Sequence, residues 1–119
     1  MWLMHSPPAA SPVAWAKFDP ALRKKLEGRL GPGELLHVMA RMPPDAAEDA
    51  LKPEQREAKF RDRSADLRHQ LEREGATEIQ IFWINSTVGA MVRPESLGRI
   101  GSRADVTQLI LMVRYQAVL

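Results

Sequence analysis

Leu22, Leu26 and Leu30 recur every fourth residue among charged neighbours, the apolar stripe of a short amphipathic helix. Its ends are marked. Asp19 can cap it, Pro20 suits its first turn, and Gly31-Pro32 stop it. The period then shortens. In "ELLHVMARM" (34–42), Leu36, Val38 and Ala40 alternate with Leu35, His37 and Met39. Both sets are largely apolar, which predicts a central strand covered on two faces. "PPDAAED" reads as a loop or the approach to a helix. Over residues 53–74 the period is helical again. Pro53 opens the segment, Glu54 and Glu57 complement the dipole of its first turn, and Gly75 ends it. Phe60, Leu67 and Leu71 share a face with Ser64 between them, as in an amphipathic helix lying on a sheet.

The stretch "IQIFWINSTVGAMVRPESL" (79–97) returns to alternation. Ile79, Ile81 and Trp83 point one way, Phe82 and Ile84 the other. Trp83 is expected to be a structural residue, at least partly buried. Asn85-Ser86-Thr87 breaks the run through local hydrogen bonding. Val88 to Val92 form a second strand, in which Gly89 lets another group come close. Pro94 opens a short helix containing Leu97 and Ile100, and "DVTQLILMV" (105–113) is a final strand. The order strand, helix, strand, strand, helix, strand predicts an α+β fold of the ferredoxin-like, split βαβ kind: a four-stranded antiparallel sheet with two helices on one face, plus the short N-terminal helix. The last strand would lie at an edge beside the first. The other sheet face would stay open and is a candidate partner surface. Residues 1–18, rich in Pro, Ala and Ser, read as an N-terminal arm of the poorly ordered kind, although Trp2 and Trp15 could dock into a groove. The domain proper is placed at 19–114, with a C-terminal tail at 115–119.

Composition narrows the chemistry. A chain of 119 residues suits one domain, and its net charge is only +2. The basic residues are dispersed among acids, which argues against a nucleic-acid stripe. The absence of Cys removes disulfides and thiol chemistry and suits a cytoplasmic protein. The N-terminal segment has neither a basic n-region nor a long apolar run, so neither a signal peptide nor a membrane span is expected. Export together with a partner stays open. His5, His37 and His69 lack ligand spacing, so no metal site or other cofactor is expected. Asp45, Glu48 and Asp49 read as a solvated acidic loop and not as a catalytic pair.

Three stretches in series carry a family resemblance: "KFDPALRKKLEGRLGPGELLHVMARM", "SADLRHQLEREGATEIQIFWINSTVGAMVRPESLGRI" and "SRADVTQLILMV". Together they resemble the propeptide domain of subtilisin-like serine proteases and its free-standing inhibitor relatives. The "WINS" hairpin, then a Pro-Glu helix start, then Asp-Val, is the most specific part. The resemblance implies an inhibitor, not an enzyme, with no catalytic residues of its own. Its open sheet face would pack on the protease, and its tail would enter the active-site cleft. It also implies a role as a folding template. A separate inhibitor acting in trans is the expected arrangement. In the tail, Leu119 would reach the catalytic serine, with Val118 and Ala117 following outward. Gln116 or Tyr115 would fill the fourth pocket, depending on register.

One feature departs from the family. Secreted bacterial relatives carry acids late in the last strand, and this chain has Leu111, Met112 and Val113 there. An exposed "LILMV" edge would be prone to aggregation unless covered. The alternative reading is a ferredoxin-like binding or docking module for an unrelated partner or ligand. An RNA-binding sheet would need several aromatics on one face. Phe82 and Trp83, as neighbours, cannot supply them.

Overall fold

In the computed structural model, residues 11–112 are described. Strands β1 (Leu36–Arg41), β2 (Thr77–Phe82), β3 (Thr87–Val92) and β4 (Gln108–Leu111) form one antiparallel sheet in the order β2-β3-β1-β4. The last strand thus lies at an edge beside the first, and the arrangement is α+β of the ferredoxin-like kind. Register pairs Val38 with Ala90 and Leu111, and Ala40 with Val88 and Leu109. These residues point inward with Leu36 and Val92. They form a single core with Leu22, Leu26, Phe60, Leu67, Leu71, Leu97 and Ile100 from the helices.

The helix α2 (Pro20–Glu27) starts as the pattern predicts. Asp19 accepts the Leu22 N–H at 2.9 Å, and Leu22 and Leu26 are buried. It ends earlier than Gly31-Pro32, at Gly28, whose N–H reaches the carbonyls of Lys24 and Lys25.

The segment 53–74 is two helices, α4 (Pro53–Arg63) and α5 (Ala65–Arg73), broken at fully buried Ser64. The Ser64 hydroxyl donates to the Arg61 carbonyl at 3.3 Å, and Arg68 donates to the same carbonyl at 2.7 Å. That carbonyl is drawn out of the helical ladder, which is how a back-bonded serine bends a helix. The two flanking bonds, Ser64 N–H to the Phe60 carbonyl and Arg68 N–H to the Ser64 carbonyl, keep the pieces joined across the break.

Three further expectations change. Ser11 to Phe18, assigned to the arm, belong to the fold. Ser11 caps α1 (Pro12–Lys17) by accepting the Ala14 N–H at 3.1 Å. Ala14 and Phe18 are 0% and 2% exposed. Second, the acidic loop contains a helical turn, α3 (Ala46–Asp49), whose Glu48 is buried at 4% exposure instead of solvated. Arg63 donates to both of its carboxylate oxygens, from Nε at 2.8 Å and Nη2 at 3.1 Å. Third, Trp83 leaves β2 and begins a 3-10 turn, Trp83–Asn85. It is half-buried against the core, with the Arg56 guanidinium 5.3 Å from its ring centre. Ser86 closes that turn in the left-handed region at φ 52°.

Between β3 and β4, residues Pro94–Ser96 form a 3-10 turn that runs into α6 (Leu97–Gly101). A Cβ on Gly101 would lie 3.1 Å from both Ala14 and Phe18, so α1 and α6 touch there. No helix among the described residues is long and apolar enough to cross a membrane.

Candidate functional site

All the helical core residues pack on one side of the sheet, so the alternate strand positions face outward. The cross-strand pairs place His37 beside Met91, Met39 beside Gly89 and Ile110, and Arg41 beside Gln108 on that outer face. The second face of β1, which its apolar alternation marked for cover and the element order left open, is open among the described residues, and Met39, Met91 and Ile110 are only half-buried. Phe82 completes the apolar centre. Its ring edge lies 3.0 Å from where a Gly89 Cβ would stand. Gly89 is thus the point of close approach that its place in the strand suggested. From β1, His37 and Arg41 are the ionisable groups on this face. His37 Nδ1 is buried without a hydrogen-bond partner.

At one end the face runs into a shallow hollow of about 420 Å³, lined by Lys25, Leu35, His37, Met91, Leu111 and Met112. Here the described chain ends: the Met112 N–H donates to the His37 carbonyl at 2.8 Å. The tail residues Tyr115, Gln116, Ala117, Val118 and Leu119 lie outside the described residues, as does Trp2.

Both sheet edges are guarded. Along β4, Phe18 forms a bridge to Leu109, the Asp19 N–H donates to the Leu109 carbonyl at 2.9 Å, and the Asp19 carboxylate accepts the Leu111 N–H at 3.2 Å. The "LILMV" edge is therefore partly covered by the chain's own N-terminal segment. Sequence reasoning missed this, although Ser11-Pro12 is a helix-start signal and Ala14 and Phe18 stand one helical turn apart. Along β2, an irregular register between Thr77 and Gln80 contains Glu78 at φ 52°. A bulge carrying a charge is a poor template for another strand.

Behind the sheet, two clusters hold the helices. Glu74, at the end of α5, receives Arg99 at 2.7 Å on each oxygen and the Ser96 hydroxyl at 3.1 Å. Its carboxyl is lowered to about 2, chiefly by the hydrogen bond from Arg99. Arg103 grips Asp105 through two 2.8 Å bonds and lowers that carboxyl too.

No family model, curated protein or solved structure matches the chain.

Proposed function

We propose that this protein is a proteinaceous inhibitor of a subtilisin-like serine protease, docking by its open sheet face and placing Tyr115–Leu119 in the active-site cleft. The observation that carries the reading is the open face itself, with half-buried Met39, Phe82, Met91 and Ile110 at its centre. Half-exposed apolar side chains grouped on one face mark a surface meant to be covered. The resemblance of the sequence to subtilase propeptides names the partner, and the same resemblance supports a role as folding template. The open-face positions of β4 are Gln108 and Ile110, so this stretch offers the partner no carboxylate. Contact through the middle of the face is accordingly apolar.

The tail follows directly from β4, the edge strand beside β1. An extended tail can bind cleft strands by main-chain hydrogen bonds. A short peptide alone gives up much ordering entropy for little buried area. Tethering to a docked sheet raises its effective concentration. Deleting residues 115–119 is therefore expected to abolish or sharply weaken inhibition of a purified subtilisin while binding stays detectable. Leu119→Asp is expected to raise the inhibition constant by bringing a charge to an apolar pocket. If both variants inhibit like the intact chain, the cleft-blocking role is wrong. The alternative reading, a docking module that blocks no active site, would then hold. It draws on the same face and does not need the tail.

A further inference from the structure

A groove at the β4 edge carries charge that no described residue balances with an ion pair. It is a hollow of about 450 Å³ where the end of α1, the start of α2 and the facing ends of β1 and β4 meet. Lys17, Arg23 and Arg41 line it together with one carboxylate, Asp19. Asp19 is already committed, accepting the N–H groups of Leu22 and Leu111.

The cations are held in place by neutral groups. Lys17 Nζ donates to the Arg103 carbonyl at 2.8 Å. Arg23 donates to the carbonyls of Trp15 at 3.3 Å and Ala16 at 3.1 Å. Arg41 reaches the Gln108 amide oxygen at 3.4 Å. A carbonyl orients a cation without cancelling its charge. None of the three forms an ion pair among the described residues, whereas Arg63, Arg99 and Arg103 all do. Asp105, whose charge Lys17 feels, is taken by Arg103. Residues 1–10 and 113–119 contain neither Asp nor Glu. Asp19 is thus the one acidic side chain lining the groove among the described residues, and the segments outside them bring no other.

We infer that this groove receives the carboxylates of an acidic segment on a protein partner. Arg41 and Gln108 also stand on the open sheet face, so groove and face form one surface, apolar in the middle and cationic along the β4 side. The inference rests on reading that face as a docking surface, and it gives the partner a charge. Guanidinium groups with unused donors suit carboxylates, which they can bind two bonds at a time. A single-stranded nucleic acid would need rings for stacking as well as a basic track. Phe82 is the one Phe, Tyr or Trp on the open face among the described residues.

The test uses the full chain and a hexaglutamate peptide at low ionic strength, followed by amide chemical shifts. Saturable shifts at Lys17, Arg41, Thr107 and Gln108 are expected. Arg41→Ala and Lys17→Gln should each weaken binding roughly two- to fivefold, as for a partly exposed charge pair. Binding should vanish near 1 M salt, where the screening length is about 3 Å. Arg41 is exposed and Lys17 half-exposed, so both variants should keep the parent's unfolding midpoint; one that does not is replaced by Arg41→Gln. Shifts confined to other sites, or variants that bind as tightly as the parent, overturn the inference. An oligothymidine competitor that binds the same residues as tightly as hexaglutamate, or more tightly, overturns the choice of a protein partner; weaker binding supports it. No protease enters this measurement, so its failure and the failure of the inhibition assay are separate results.

Discussion

Glu74 does the most for its size. One side chain ties the end of α5 to Ser96 and to Arg99 of α6, and the neighbouring Arg93 donates to its carbonyl at 2.9 Å. Its carboxyl lies at about 2 in the folded chain against an ordinary 4.5. A depressed carboxyl stabilises the fold above its unfolded value. That contribution is lost as pH falls from about 4.5 through about 2, because the unfolded chain takes up the proton first. Acid unfolding followed by circular dichroism should therefore steepen across this window. Glu74→Gln should flatten the limb and cost about 2 kcal/mol at neutral pH, the range for a hydrogen bond to a charged group. An unchanged acid limb in the variant would show that Arg99, itself largely exposed, does not hold the carboxylate in solution.

Between elements, one ion pair and one glycine decide the packing. Arg63 binds Glu48 of α3, the Pro43 carbonyl at 2.8 Å and the Ser86 hydroxyl at 3.3 Å, while stacking 5.0 Å from the Phe60 ring centre. It thereby joins the turn after β1, α4 and the turn before β3. Arg63→Ala leaves a buried carboxylate without a partner and is expected to cost about 3–5 kcal/mol. The double variant Arg63→Met, Glu48→Leu should cost clearly less than Arg63→Ala alone, since no charge is then stranded. Denaturant midpoints of the two variants decide this; equal losses would mean that shape, not charge, governs the site. Gly101 sets the approach of α1 to α6. Gly101→Ala should push Ala14 and Phe18 outward at a cost of about 1–3 kcal/mol, the usual range for overpacking. It should also raise hydrogen exchange in Pro12–Lys17 and at the Leu111 N–H, which Asp19 covers. Unaltered exchange there would mean that α1 is not docked through this contact.

On the scale of the whole molecule, the described residues protect both sheet edges and leave one face uncovered. Asp19 and Phe18 shield β4, the Glu78 bulge interrupts β2, and the helices bury the inner face. Strand addition is therefore disfavoured at either edge, and the outer face is the surface the described residues leave open. Met39→Asp and Met91→Asp should weaken binding to the subtilisin-like protease proposed as partner at least tenfold while shifting the unfolding midpoint little, because both residues are half-exposed already. Binding by calorimetry and melting by circular dichroism, measured on the same samples, provide the check. A parallel loss of stability and binding would mean that these residues are core.

The four strands in outline, the helix starts at Pro20 and Pro53, the Pro94 turn that leads into α6, and the strand-helix-strand-strand-helix-strand order were legible in the sequence. Periodicity and capping are local, and they act within a few residues. Gly89 was legible too, as a place of close approach, though not as the seat of Phe82. What local pattern could not reveal was which of two apolar faces of β1 would be covered. Both alternating sets look alike in sequence, and only the side on which the helices land separates them. The same limit applies to residues 11–18. Pro, Ala and Ser suggest a loose arm, but Ala14 and Phe18 find a partner at Gly101, roughly ninety positions away. Glu48 reads as solvated until Arg63 folds over it. The break at Ser64 depends on Arg68 reaching back to the Arg61 carbonyl. The cationic groove gathers Lys17, Arg23 and Arg41 from three elements that are dispersed in sequence. Each of these is a meeting of distant groups, settled by burial and long-range pairing that one-dimensional spacing does not encode.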